Sequence, residues 1–349
     1  MNTIKISDRE IGAGNPCFII AEAGSNHDGN IEQAYKLIDV AVEAGVDAVK
    51  FQLFSAEKIA ARTKQEIAKL RDEFEKFGDN LFDFYKKLEM PVEWLGELKE
   101  YCNKKGIVFL TTPFDEGAVD DLAGIDVAAY KIASFEMVHI PLVKHVAKQG
   151  KPVIVSTGMG DLADIEDVVR AVTSQKNEQL ILLHCGISYP MPFAEVHLAA
   201  MDTMRQAFQF PVGYSDHTEG ITVPLAAVAR GANMIEKHYT LDKNLDGPDH
   251  TFALDPNELK QMVDAIRNTE KAIGSPIKKL SPSETVHYER GRRSVFAAVD
   301  IPKGTAISED MLEVLRPGIG LAPKFIEVIV GRKIQRDVSA HEPITWDDI

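Results

Sequence analysis

CFIIAEAGSNHDGNIEQAYKLIDVAVEAGVDAVKFQLF, residues 17–54, holds two apolar runs on either side of an amphipathic segment. Cys17–Ala23 and Ala48–Phe54 read as strands. Between them, Ile31–Ala44 puts Ala34, Leu37, Ile38, Ala41 and Val42 on one helical face and stops at Gly45. Two strands joined by a helix-length crossover make the unit of a parallel sheet. The turn Ala21-Glu22-Ala23-Gly24-Ser25-Asn26-His27 is not the glycine fingerprint of a doubly wound dinucleotide fold.

The same alternation continues outward. Further strands are expected at Ile107–Thr112, Ala128–Ser134, Val153–Thr157, Leu180–Cys185, Val212–Asp216 and Met234–Tyr239. Helices are expected between them, among them Val92–Lys105, Leu162–Thr173 and Pro256–Ile273, the last with proline in its first turn. Eight strand–helix units predict a closed (β/α)8 barrel, the TIM-barrel architecture. Ala56–Glu89, rich in Lys, Glu, Asp and Phe, reads as a helical excursion inserted between the second and third strands. Ser275–Tyr288 reads as a linker. Beyond it a small β-rich domain is expected, with a weak internal echo between Asp300–Ile307 and Asp337–Ile344. The expected division is 1–280 and 281–349.

Composition narrows the function classes. The 349 residues carry 39 basic and 53 acidic side chains, a net charge of -14 that argues against nucleic acid as a partner. Cys17, Cys102 and Cys185 are far apart and show no CxxC spacing, which excludes a cysteine–zinc site or a disulfide scaffold and suits a reducing compartment. There is no apolar run long enough for a membrane span and no basic-then-apolar amino-terminal signal, so a cytoplasmic location without membrane attachment is expected.

Barrel enzymes place their chemistry at the carboxyl ends of the strands. Here those ends carry Glu22; Lys50 and Gln52; Thr111 and Thr112; Lys131, Ser134 and Glu136; Ser156 and Thr157; Ser188 and Tyr189; Ser215, Asp216 and His217; and Glu236, Lys237 and His238. A buried lysine is costly without a compensating anion. Lys50 and Lys131 therefore read in three ways: ion pairs with Glu22 or Glu136, a Schiff-base nucleophile, or an anion clamp helped by the hydroxyls of Thr111, Ser134, Ser156 and Ser215. The number of hydroxyls on separate strands favours the clamp. His217 and His238 end adjacent strands and can share one cation; a site of two imidazoles among oxygen donors suits Mn²⁺ or Mg²⁺ better than structural zinc. His27 and His250 are further candidates on loops.

Read together, these motifs resemble one family. Ala21–Gly29, Val49-Lys50-Phe51-Gln52, Thr111-Thr112-Pro113-Phe114, Tyr130–Ser134, Ser156-Thr157-Gly158-Met159, Ser215-Asp216-His217, Ile235-Glu236-Lys237-His238 and Gly247-Pro248-Asp249-His250 are similar to the N-acetylneuraminate (sialic acid) synthases. That family also holds legionaminic and pseudaminic acid synthases and spore coat polysaccharide synthase-like proteins. The carboxyl-terminal segment with Leu315-Arg316-Pro317-Gly318 resembles its antifreeze-like SAF domain.

The resemblance implies condensation of phosphoenolpyruvate with the open-chain aldehyde of an N-acetylated hexosamine, N-acetylmannosamine or a 6-deoxy diacetamido relative, giving a nonulosonic acid and phosphate. It further implies that His217 and His238 hold the divalent ion, and that Lys50, Thr111, Ser134, Ser156 and Ser215 hold the phosphate. Lys131 would hold the carboxylate, and Glu22 would act as general acid/base. Gln52, Tyr189 and Asp249 would contact the sugar, and Glu136 would activate water or orient the sugar. A domain-swapped homodimer is implied too, with Arg316 touching the partner's sugar.

This chain departs from the neuraminate branch at Ile187, where asparagine is common, and at Ala133-Ser134-Phe135-Glu136. Gly247–His250 and Trp346–Ile349 lean away from the pseudaminate branch. The rival readings are a Schiff-base pyruvate aldolase using Lys50 or Lys131, and a catalytically idle barrel that binds a glycan or a partner.

Overall fold

A hairpin of β1 (Ile4–Ile6) and β2 (Arg9–Ile11) precedes eight parallel strands in the computed structural model, which describes residues 3–70 and 72–349. The eight are β3 (Phe18–Gly24), β4 (Ala48–Leu53), β5 (Val108–Pro113), β6 (Tyr130–Ile132), β7 (Val153–Ser156), β8 (Leu180–Cys185), β9 (Val212–Asp216) and β10 (Met234–His238). Their spatial order β5-β4-β3-β10-β9-β8-β7-β6 is chain order wound round a cylinder, with β5 and β6 adjacent across the seam. This is the expected (β/α)8 barrel.

Helices fill every crossover, and local signals set their ends. Asn30 accepts hydrogen bonds from the N–H groups of Glu32 and Gln33 to start Ile31–Ala44, and Gly45 ends that helix at φ 81°. Asp161 and Asp255 open Leu162–Ser174 and Pro256–Ile273 through reciprocal caps with Asp164 and Glu258. The excursion between β4 and β5 forms the short helices Ala56–Ile59 and Leu81–Leu88, with 3-10 turns between them.

Side-chain alternation divides the barrel into two cores. Outward residues such as Ile19, Val49, Phe51, Phe109, Val155 and Ile235 pack under the helices. Inward residues Phe18, Ile20, Ala48, Leu110, Ala129, Ile154, Ile181, Leu183 and Met234 pack with Ile4, Ile6 and Ile11. The amino-terminal hairpin thus plugs the amino-terminal end of the barrel, an element that sequence patterning did not announce because each of its strands has three residues. Two residues further along each strand the inward position turns polar, and there the site begins.

The chain forms two compact units, one up to Gly274 and one over Ser275–Ile349. In the second unit β11 (Ser294–Ala297) pairs antiparallel with β12 (Leu312–Leu315) over a core of Val295, Ile301, Ile307, Ile329, Ile334, Val338 and Ile344. The sequence echo has a physical counterpart. Ile301 and Val338 exchange backbone hydrogen bonds, Asp337 Oδ1 accepts from the Lys303 N–H at 2.7 Å, and Asp300 Oδ1 accepts from the Ala340 N–H at 2.8 Å. The two segments thus satisfy each other's backbone reciprocally. Among the described residues no helix is long and apolar enough to cross a membrane.

Candidate active site

At the carboxyl end of the barrel the inward positions are Glu22, Lys50, Thr112, Lys131, Ser156, Cys185, Ser215 and Glu236. Above them stand Gln52, Ala133, Ile187, His217 and His238, and together they line one well with Phe114, Ser134, Phe135 and Tyr189. Most of the polar members are buried.

The well is an electrostatic lattice. Lys50 Nζ lies 2.7 Å from Glu22 Oε2 and 3.5 Å from Glu236 Oε1, and donates to Thr112 Oγ1 at 3.0 Å. Burial opposes its charge, but the two carboxylates outweigh burial and hold the ammonium above the ordinary lysine value. Lys131 Nζ donates to Ser156 Oγ at 2.7 Å and to the Ile132 carbonyl at 3.1 Å, and lies 3.8 Å from Glu236 Oε2. Burial outweighs the pull of Glu236 at that distance, Lys50 nearby adds to the effect, and its proton affinity falls. Glu236 also accepts from Ser215 Oγ at 3.3 Å. Burial disfavours its charge, yet Lys131 and Lys50 keep it ionised.

The two histidines meet as the sequence suggested, with ring centroids 5.2 Å apart. His217 Nδ1 lies 2.7 Å from the Gly186 carbonyl, an acceptor that places the proton on Nδ1 and leaves Nε2 bare. Burial and the neighbouring imidazole push its pKa down to about 3. Burial also disfavours a charged His238, but Asp249 Oδ2, 3.4 Å from its Nδ1, raises its proton affinity overall. A carbonyl behind the ring, as at His217, is an arrangement by which proteins orient imidazole ligands toward a cation. Among the described residues no third His, Cys, Asp or Glu joins them to complete a shell. The residues fit a divalent ion held by two imidazoles, with its other positions left to water or substrate.

Behind the pair, Lys237 and Asp216 face away from the well and form a buried ion pair at 2.6 Å. Asp216 also accepts from the Thr218 N–H and hydroxyl, and Lys237 donates to the Thr218 carbonyl. This brace ties the ends of β9 and β10 together directly behind the two imidazoles.

Gly24 organises the sugar-side residues. At φ 54° its missing side chain leaves room between Asp249 Oδ2, Gln52 Nε2 and Glu22 Oε1, which a Cβ would meet at 3.2, 3.4 and 3.5 Å. Gln52 Nε2 donates to Glu22 Oε1 at 2.8 Å. The ring of Tyr189 packs on His217 at 4.3 Å. Ser134 Oγ accepts from the Gly158 N–H at 2.9 Å.

Not every expected residue reaches the well. Thr111 pairs in register with outward-facing Phe51, so it lies on the helix side of β5; Thr112, in register with Gln52, is the inward hydroxyl. Glu136 sits in an adjoining chamber with Phe114 and Phe135. Arg316 belongs to the second unit, where it is exposed and its Nε donates to the Gly291 carbonyl at 2.7 Å. His27 and His250 are buried but line neither well nor chamber. His27 Nδ1 accepts from the Gly29 N–H, and its ring packs against Trp94. His250 bridges Thr240 Oγ1 at 2.6 Å and Asp28 Oδ1 at 3.1 Å, clasping two loops. Glu236 is central to the well although its place at a strand end assigns it no role, and its even spacing from His238 on β10, which puts both on one face, is the sequence signal for it.

A family model described as NeuB matches residues 37–278, and one described as SAF domain matches residues 292–349. A spore coat polysaccharide biosynthesis protein of Bacillus subtilis is 41% identical over 100% of this chain and 98% of its own. Its crystal structure aligns with a TM-score of 0.68 over 100% of this chain and 99% of that one, at 40% identity. An N,N'-diacetyllegionaminic acid synthase of Legionella pneumophila is 41% identical over 97% of this chain and 96% of its own. The citrate complex of an N-acetylneuraminic acid synthetase from Leptospira borgpetersenii aligns with a TM-score of 0.72 and 37% identity, covering 82% of this chain and 95% of that one.

Proposed function

The chain belongs to the NeuB family, and from that premise we propose that it condenses phosphoenolpyruvate with the open-chain aldehyde of an N-acetylated amino sugar, releasing phosphate and a nonulosonic acid. The observation that carries this reading is the pair of buried ammoniums, Lys50 and Lys131, set among hydroxyls of four strands beside two converging imidazoles. Lys50, with Thr112, Ser134, Ser156 and Ser215, supplies the charge and donors a phosphate needs, and Lys131 is placed for the carboxylate. Glu22, hydrogen-bonded by Gln52 and paired with Lys50, is the carboxylate positioned to handle a proton at the reacting carbon and to steady positive charge that develops there. Gln52, Tyr189 and Asp249 face the acceptor.

His217 and His238 would hold a divalent ion, Mn²⁺ or Mg²⁺, whose chemistry there is polarisation of the aldehyde oxygen. The carbonyl accepting at His217 Nδ1, the carboxylate of Asp249 beside His238 and the absence of a third side-chain ligand among the described residues support an ion that keeps positions open for substrate. We propose further that the working unit is a homodimer in which Arg316 serves the partner's acceptor. The three free, buried thiols suit a reducing cytoplasm.

The test is phosphate release from phosphoenolpyruvate with candidate amino sugars. EDTA should silence turnover and added Mn²⁺ should restore it, and His238→Ala should lose activity while keeping its circular dichroism. Full turnover by that variant without added metal would overturn the metal role. The lowered proton affinity of Lys131 is the one observation that favours a Schiff-base aldolase. Borohydride with pyruvate should leave every lysine unlabelled; a labelled Lys131 would transfer the assignment to that chemistry.

A further inference from the structure

Beside the well lies a second cavity of about 370 Å³, roofed by the excursion between β4 and β5. Its walls include Ile59, Ala61, Leu81, Phe114 and Phe135, and its polar groups are Thr63, Tyr85 and Glu136; among the described residues no Lys, Arg or His lines it. Phe114 and Phe135 also line the catalytic well, so the two spaces share walls. Phe135 is 51% exposed, an uncovered aromatic at the junction of the two cavities. Glu136 Oε2 is buried with no hydrogen-bond partner. A buried carboxyl oxygen left unsatisfied is a cost that a bound donor would remove.

We propose that this chamber receives the end of the acceptor sugar remote from its aldehyde, and that it selects an uncharged end bearing an acylamino group and an apolar terminus over one bearing a phosphate or a full row of hydroxyls. The inference rests on the condensing reading of the well. An acceptor whose aldehyde lies by the two imidazoles must extend its carbon chain away from them, and Phe114 and Phe135 line both spaces. There an amide N–H or a hydroxyl satisfies Glu136, and methyl groups cover Ile59, Leu81 and Phe135. A phosphate ester would face a carboxyl with no cation among the described wall residues. Extra hydroxyls would lose water against apolar side chains without gaining partners. Burial raises the proton affinity of both Glu136 and Tyr85.

The experiment compares kcat/KM, by phosphate release from the full-length protein, for N-acetylmannosamine, its 6-phosphate and a 6-deoxy diacetamido relative. The deoxy diacetamido sugar should lead N-acetylmannosamine by about 10-fold or more, and the phosphate ester should trail by at least about 100-fold. Ala61→Trp, at an exposed wall position outside the catalytic machinery, should raise the acceptor KM about 10-fold and leave the phosphoenolpyruvate KM unchanged. Leu81→Arg should narrow the gap between the phosphorylated and unphosphorylated acceptors. A preference for the phosphate ester or the polyol, or an unchanged acceptor KM in Ala61→Trp, would overturn the chamber assignment and leave the synthase reading standing. Phosphate release with none of the three sugars would bring both down together.

Discussion

At the residue scale, two buried carboxyl groups show how place decides chemistry. Asp216 and Lys237 are adjacent in sequence to the two site histidines, but alternation turns them to the other side of the sheet, where their charges meet at 2.6 Å. Removing one partner leaves a buried charge uncompensated. Lys237→Met should therefore cost about 3–5 kcal/mol in urea unfolding, and the double variant Asp216→Asn/Lys237→Met should recover much of that loss. Glu136 has no such partner. Burial raises its pKa from 4.5 to about 7, against a smaller opposing pull from Lys131. Because the folded state binds this proton more tightly than the unfolded chain, the associated stability is fully present below pH 4.5 and is lost as pH rises through 7. Glu136→Gln should flatten that decline, and urea midpoints of wild type and variant at pH 5 and pH 8 would show it. Equal pH slopes in the two proteins would rule out a raised Glu136.

At the element scale, the hairpin and the excursion sit at opposite ends of the barrel and do opposite work. The hairpin seals apolar side chains away from water: Ile6 is fully buried against the inward layer. Ile6→Ala should cost about 2–5 kcal/mol through lost burial and a residual cavity, read as a lowered denaturation midpoint without a change in KM. The excursion leaves space instead of filling it, and its walls form the chamber beside Glu136. Barrels tolerate such insertions because the strands beneath are fixed by their neighbours, so a loop over the mouth varies without disturbing the cylinder. The echo in the second unit is another element-scale effect: two similar eight-residue segments satisfy one another's backbone through Asp300 and Asp337.

At the scale of the whole molecule, the net charge of -14 and the anion-binding reading coexist because local charge governs the well. Two ammoniums lie within 4 Å of carboxylates there, so the well is nearly neutral before an anion enters. The homodimer expectation is settled by light scattering, which should give about twice 38.6 kDa. If Arg316 serves a partner's acceptor, Arg316→Ala should raise the acceptor KM without moving the phosphoenolpyruvate KM or the mass. A monomeric mass with full activity would end that part of the proposal.

The linear sequence by itself determined the eight strands to within a few residues, the helices between them, the polar ring at the strand ends and the histidine pair. Period-two alternation, helical faces and capping residues are local properties, and local properties survive in a string of letters. Only the tertiary structure decided between Thr111 and Thr112, because register against β4 sets which hydroxyl points inward. It also made Glu236 the carboxylate shared by both lysines and made His250 a clasp between loops. Each of these depends on distances between side chains far apart in the chain, or on which face of a twisted strand turns to the axis, and neither quantity is set until the barrel has closed.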